Sequence, residues 1–334
     1  MNKTTKTTLY RTIKRLGLEN FFVHALDQTR HQSRLHRQIL KLTPHPYAYA
    51  PHEARSVVRH SLKWQLEPAN YFQWHQFYGL RDRVLETLLR LSQDARVFVD
   101  VGANIGFYSC VLAARAKQTI KVFSFEPNPE THAALVRHCT LNNLTNVVCA
   151  QTALGAEKSE AVLHDMAAGD LGKFSLRGSS GSGPRVDVDT LDSMVARLGI
   201  ERVDLLKIDV EGFEPEVLAG AQKTIQRDWP ALCLELTPEW TSHRHGLLKE
   251  MFESWSSGPY RFFSIESDSY VPFSFEHFLE GKLNTRPQYN LVGVNERQSR
   301  RLFESGALSR AISYRSRVFH TDSSRLESVS PSGQ

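Results

Sequence analysis

From Arg96 onward, apolar residues fall in short unbroken runs separated by stretches with helical spacing. The runs VFVDVG, KVFSFE, VVCAQTAL, VDLLKIDV and ALCLEL alternate with helices predicted over Phe107–Lys117, Pro129–Asn143, Leu191–Leu198 and Glu214–Arg227. Strands that are apolar on both faces cannot border water, so the alternation predicts a parallel sheet covered by helices on both sides. RFFSIES and YNLVGVN supply two further strands, an antiparallel pair at one edge. The expected fold is α/β and Rossmann-like, with a mostly parallel seven-stranded sheet.

The ends of the chain read differently. Within residues 8–42, Leu9, Ile13 and Leu16, then Leu18, Phe22 and Ala25, recur at helical spacing, with Gly17 interrupting. Leu42–Pro51 holds three prolines, each disfavouring helix in the residue before it, and reads as a linker. We therefore expect a basic helical extension and linker over residues 1–60, a main domain over 61–296 and a basic, Ser-rich tail over 297–334. Residues 177–184 (RGSSGSGP) form a flexible loop by composition, placed to cover a site, and the tail beyond Ser309 lacks the apolar content to order itself.

Charge sharpens this division. The formal net charge is +5, yet residues 1–63 carry 12 Lys/Arg against 3 Asp/Glu and residues 297–334 carry 7 against 3, which leaves the centre acidic. The basic residues lie outside the predicted site, so no nucleic-acid partner is expected. Lys14, Arg15, Arg30, Arg34 and Arg37 accompany apolar positions, which leaves open peripheral membrane contact, as well as a homo-oligomer. No apolar run approaches the roughly 20 residues that span a bilayer, and the start of the chain lacks a signal peptide's apolar stretch, so a cytoplasmic location is expected. The four cysteines show no C-x-x-C spacing and read as buried free thiols.

The chemistry concentrates where predicted strands end. In VFVDVGANIGF a buried strand closes on Asp100 and runs through Gly102, Asn104 and Gly106 into a helix, and ligands of parallel sheets bind at such carboxyl ends. Glycines there let backbone approach a ligand. The dinucleotide spacing G-x-G-x-x-G is absent, and an acid ahead of the glycines suits a ligand bearing an ammonium group better than a diphosphate. The second strand ends at Glu126, followed by Pro127 and Asn128; a carboxylate there can accept from both hydroxyls of a ribose. The third ends near Ala153, where an adenine ring could lie. The fourth gives K-I-D-V-E-G-F-E, with Lys207, Asp209 and Glu211 on one face by the period-2 rule, a costly set to bury without a ligand or partner.

DVGANIGFYS, FSFEPNPETHAAL, TLDSM, LLKIDVEGFEPEVLAGA and ALCLEL, in this order and spacing, resemble the FkbM-type methyltransferase family over about residues 80–240. The resemblance implies a Rossmann-like methyltransferase fold, S-adenosylmethionine as donor, and O-methylation of a sugar, glycan or other small hydroxylated metabolite. It places Asp100, Gly102, Asn104, Gly106 and Glu126, with Pro127, Asn128 and Ala153 beside them, around the donor. Asp209 and Glu211, with Lys207, face the methyl-transfer region, Asp209 being the first candidate for general base. Asp209, Glu211 and Glu235 could also hold a divalent metal. The competing readings are a nicotinamide (NAD) oxidoreductase and a non-catalytic S-adenosylmethionine-binding module.

Overall fold

Eight strands form the central sheet of the computed structural model, which describes residues 8, 10–13, 15–29, 33–115, 119–165, 174–175, 183–275, 278 and 288–303. Strands β3 (Val97–Val101), β4 (Lys121–Phe125), β5 (Val147–Ala150), β11 (Leu205–Ile208) and β12 (Ala231–Leu236) run parallel, in the order β12-β11-β3-β4-β5. The chain thus steps outward from β3 through β4 and β5, then returns to fill the other side of β3. This reversal opens a crevice above the carboxyl ends of β3 and β11, where open α/β sheets bind ligands.

Past β12 the sheet continues antiparallel. β15 (Tyr289–Val294) inserts between β12 and β13 (Arg261–Ile265), and β14 (Tyr270–Pro272) pairs with β13 at the outer edge. The expected antiparallel pair is therefore present. The eighth strand, β14, is the addition: three residues ending in proline carry no strand pattern.

Helices α5 (Phe107–Arg115), α6 (Pro129–Leu141) and α7 (Leu191–Arg197) follow the predicted spans closely. Glu214–Arg227 instead forms two helices, α8 (Glu214–Ala219) and α9 (Gln222–Asp228), because the chain must pass close to a neighbour at Gly220. A Cβ there would lie 2.0 Å from the Gly155 carbonyl oxygen. The run VVCAQTAL also divides: β5 joins the main sheet, whereas β6 (Ala153–Leu154) pairs with β10 (Arg185–Asp189), which also pairs with β7 (Ser159–Val162), while β8 (His164–Asp165) pairs with β9 (Phe174–Ser175).

At the amino end, α1 (Glu19–Gln28) and α2 (Ser33–Leu40) precede a hairpin of β1 (Arg55–Arg59) and β2 (Leu62–Leu66). Two helices absent from the sequence reading follow, α3 (Tyr71–Phe77) and α4 (Arg83–Leu91), capped by the Asn70 and Asp82 side chains. Phe22, Leu26, Trp64, Phe77 and Leu88 share one continuous core with Phe98, Phe107 and Val122 of the sheet domain. Of the loop at 177–184 only Gly183 and Pro184 are described, and the tail beyond Ser309 lies outside the described residues. Cys110, Cys139 and Cys233 are buried and Cys149 half-buried, all as free thiols, with Cys139 Sγ 3.7 Å from Cys110 and 3.9 Å from Cys149. No helix among the described residues is long and apolar enough to cross a membrane.

Candidate functional site

Parallel register sets Lys207 of β11 directly beside Asp100 of β3. The ammonium lies 3.6 Å from Asp100 Oδ1 and 3.0 Å from Asp209 Oδ2, and Ser109 donates to the other Asp100 oxygen at 2.6 Å. Asp100 is wholly buried and Lys207 is 3% exposed. Burial pushes the Asp100 carboxyl up, against the pull of Lys207 and Ser109. Burial would also lower the lysine, but Asp209 and Asp100 outweigh it and hold the ammonium charged. Lys207 is therefore a fixed cation shared between two carboxylates.

Above this pair lies a cavity of about 660 Å³. On the β3–β4 side it is lined by Gly102, Asn104, Glu126, Pro127 and Ala153. Glu126 is buried at the end of β4; its Oε2 accepts from the Asn104 N–H at 2.7 Å, and its Oε1 accepts from the Asn128 N–H at 3.0 Å and the Thr131 hydroxyl at 2.8 Å. Desolvation raises its pKa, opposed by these donors. A carboxylate offers about four acceptor positions, so Glu126 both fixes the glycine loop and keeps capacity for a ligand hydroxyl.

The two glycines of that loop are needed for packing. Gly102 has φ +75°, and a Cβ on it would lie 1.8 Å from the Asp209 carbonyl oxygen; Gly106 has φ +82°, and a Cβ there would lie 2.3 Å from the Leu135 side chain. The backbone approach that the sequence suggested for a ligand is taken up by the loop after β11 and by α6.

On the β11–β12 side the cavity is lined by Asp209, Glu211 and Glu235, whose carboxylate oxygens lie within 4.8 Å of one another. All three are half-buried. Glu235 is held well above the ordinary carboxylate range by burial, then by Asp209 and Glu211. Either a proton or a hard cation relieves such a cluster. Glu211 stands at φ +54°, and Glu214, 1% exposed, secures this turn: its Oε1 accepts from the N–H groups of Val210 at 3.0 Å and Gly212 at 3.1 Å. Burial pushes the Glu214 carboxyl up to about 7.

A third wall comes from α3, α4 and the turn between them, which contribute Tyr71, Phe72, His75, Gln76, Arg81, Asp82 and Arg83. Asp82 Oδ2 accepts from the Tyr108 hydroxyl at 3.0 Å and from Gln76 Nε2 at 3.1 Å. The Lys207 ammonium sits 5.1 Å over the Tyr108 ring. Tyr108 thus links the buried ion pair to this wall.

Of the residues singled out from the sequence, Gly102, Asn104, Glu126, Pro127, Ala153, Lys207, Asp209 and Glu211 line the cavity together. Asp100 lies beneath it, with its charge met by Lys207; Gly106 packs against Leu135; Asn128 caps α6 by accepting from the Glu130 N–H at 2.8 Å. Sequence reasoning missed the wall from residues 70–84, which only long-range packing reveals, and used Glu235 solely as a metal candidate although it too stands near a strand end.

Residues 100–262 match the family described as Methyltransferase FkbM domain. The hexuronic acid methyltransferase AglP of Haloferax volcanii is 30% identical over 147 residues, which cover 43% of this chain and 57% of that protein. The 31-O-demethyl-FK506 methyltransferase FkbM of Streptomyces tacrolimicus is 31% identical over 166 residues, covering 41% of this chain and 62% of that protein. The chain thus spans about three fifths of these curated relatives. A crystal structure of methyltransferase FkbM from Methylobacillus flagellatus aligns over 85% of this chain and 62% of its own at 18% identity, with a TM-score of 0.41. The likeness to the FkbM methyltransferase domain thus rests on residues 100–262, just under half of the chain.

Proposed function

We propose that the protein transfers a methyl group from S-adenosylmethionine to a hydroxyl of a sugar, glycan or other small polyhydroxylated metabolite. The observation that carries this reading is the meeting, in one cavity, of Glu126 at the end of β4 with Asp209, Glu211 and Glu235 beyond β11 and on β12. The donor-side residues fit an adenosyl group: Glu126 retains acceptor capacity for the ribose, and Ala153 and Leu154 offer an apolar surface to the base. When bound, the donor supplies an electrophilic methyl on a sulfonium. The rest falls to this chain's residues, which must hold an acceptor oxygen about 3 Å from that methyl, in line with the sulfur.

An alcohol must also lose a proton. Lys207 cannot take it, because Asp100 and Asp209 keep the ammonium charged. Asp209 is ion-paired with Lys207 at 3.0 Å, which engages one of its two carboxylate oxygens. Glu235, raised by burial and by its acidic neighbours, is the stronger base of the set once ionised and is assigned that role in place of Asp209. The same three carboxylates have the oxygen chemistry for a divalent cation, which would activate the hydroxyl instead. The curated relatives named for a hexuronic acid and for 31-O-demethyl-FK506 agree with a hydroxylated small-molecule acceptor.

The test is calorimetric titration with S-adenosylmethionine, S-adenosylhomocysteine and NAD, followed by labelled methyl transfer to a panel of neutral and uronic-acid glycosides. Micromolar binding of the first two, weakened in Glu126→Gln, supports the donor assignment. Binding of NAD alone overturns it.

A further inference from the structure

We infer that the exposed side chains described within residues 11–47 form a docking surface for an anionic lipid membrane, tied through Tyr47 to a wall of the cavity. The inference does not depend on the reaction assigned to that cavity. Among the described residues, 11 large apolar side chains are exposed, and six of them, Leu16, Leu18, Phe21, Leu35, Leu42 and Tyr47, fall in this short stretch. Phe21 is 63% and Leu16 65% exposed, an arrangement that leaves apolar surface facing water at a steady cost. Exposed Arg11, Arg15, Arg34 and Lys41 lie in the same stretch, with no carboxylate partner among the described residues.

The sequence of this end of the chain is dominated by one sign of charge. Residues 1–52 contain nine Lys/Arg and only two acids, Glu19 and Asp27. Both acids are drawn inward: Glu19 meets Arg55 at 3.3 Å and Asp27 meets Arg59 at 2.7 Å. Exposed cations and exposed apolar side chains in one stretch match an anionic headgroup layer with acyl chains beneath it. A second copy is a poor occupant, since a two-fold contact would set this basic surface against itself. Nucleic acid would use the cations but has no need of Leu16, Phe21 or Leu42.

A run of aromatic contacts ties this surface to the cavity. Tyr47 stacks on His45 at 3.8 Å; His45 lies 6.2 Å from Trp74; Trp74 stacks on Tyr71 at 5.7 Å, and Tyr71 lines the cavity. The Trp74 indole also donates to the Pro44 carbonyl at 2.6 Å. A membrane docked on this surface is therefore linked to the cavity wall through packed aromatic rings.

The test is co-sedimentation of the full chain with vesicles of phosphatidylcholine alone or mixed with phosphatidylglycerol. Binding is expected only with the anionic lipid and is expected to vanish near 1 M salt, where screening acts within about 3 Å. The triple variant Arg15→Gln, Arg34→Gln, Lys41→Gln should bind about a hundredfold more weakly, from roughly fivefold per charge near the surface. Phe21→Ser with Leu42→Ser should weaken binding at low salt although every charge is kept. Thermal melts establish that each variant is folded, and the headgroup and salt dependence of the unmodified chain stands without them. Equal sedimentation with both vesicle types, unchanged binding in both variants, or a dimer in sedimentation velocity that these substitutions dissociate would overturn the inference.

Discussion

The Lys207 ammonium lies 3.0 Å from Asp209 Oδ2 on its own strand and 3.6 Å from Asp100 Oδ1 on the next. Lys207→Met would leave Asp100 buried without a countercharge, a loss expected to cost about 3–5 kcal/mol. Adding Asp100→Asn should restore part of it. Urea denaturation of the two single variants and the double variant measures the coupling; additive losses would show that the pair acts independently.

Glu126 receives three hydrogen bonds, one from the glycine loop that lines the cavity and two from the start of α6. Glu126→Gln cannot present the same acceptors, and loss of charge-assisted bonds worth about 2 kcal/mol predicts a roughly thirtyfold weaker affinity for S-adenosylhomocysteine. Calorimetry decides the matter, and unchanged affinity would remove Glu126 from the donor site.

For the transfer step, Glu235→Gln should lower kcat by about 10² to 10⁴ while leaving donor affinity within a few fold. Because Glu235 is held above its ordinary range, the rate in the unmodified enzyme should rise with pH as that proton leaves. A flat profile, or a larger loss in Asp209→Asn, would move the base elsewhere.

Glu214 bears on stability. Its folded pKa of about 7 exceeds its ordinary value, so its neutral form favours the fold at low pH; that contribution declines as pH rises from the ordinary value and is gone above about 7. The decline integrates to at most about 3 kcal/mol. Stability curves of the unmodified chain should therefore fall between about pH 4.5 and 7 more steeply than those of Glu214→Gln. Parallel curves would show that Glu214 is ionised throughout.

Gly102 and Gly199 offer a controlled contrast. Both have positive φ, but a Cβ meets the Asp209 carbonyl oxygen at 1.8 Å in one case and nothing within 4 Å in the other. Gly199→Ala should cost about 1–2 kcal/mol from the backbone alone. Gly102→Ala should cost several times more, since strand and loop must separate; equal losses in thermal melts would mean that the two segments part easily.

The periodicity of the chain makes the parallel sheet legible, because each buried strand must be apolar on both faces and each ends in a polar residue at one edge. The side-chain alternation along K-I-D-V-E correctly puts Lys207 and Asp209 on one side. What the pattern cannot supply is strand order, and so the pairing of Lys207 with Asp100 stayed hidden. The loop glycines suggest a ligand's approach, whereas the groups that close on them are the Asp209 carbonyl and the Leu135 side chain. Residues 70–84 give no local sign of their place, since Tyr71 and Asp82 reach the cavity only through the packing of α3 and α4 on the sheet domain.

The outer strand β14 ends in Pro272, opposite Phe263. The Phe273 and Ser269 ends of this hairpin bond inward to Phe262 and Glu266, so by alternation the nitrogen of Pro272 faces away from the sheet. A proline there has no hydrogen to offer, and the edge lacks a donor where a foreign strand would seek one. The fold thereby resists edge-to-edge growth on this side, a guard against fibril-like aggregation built from a single ring.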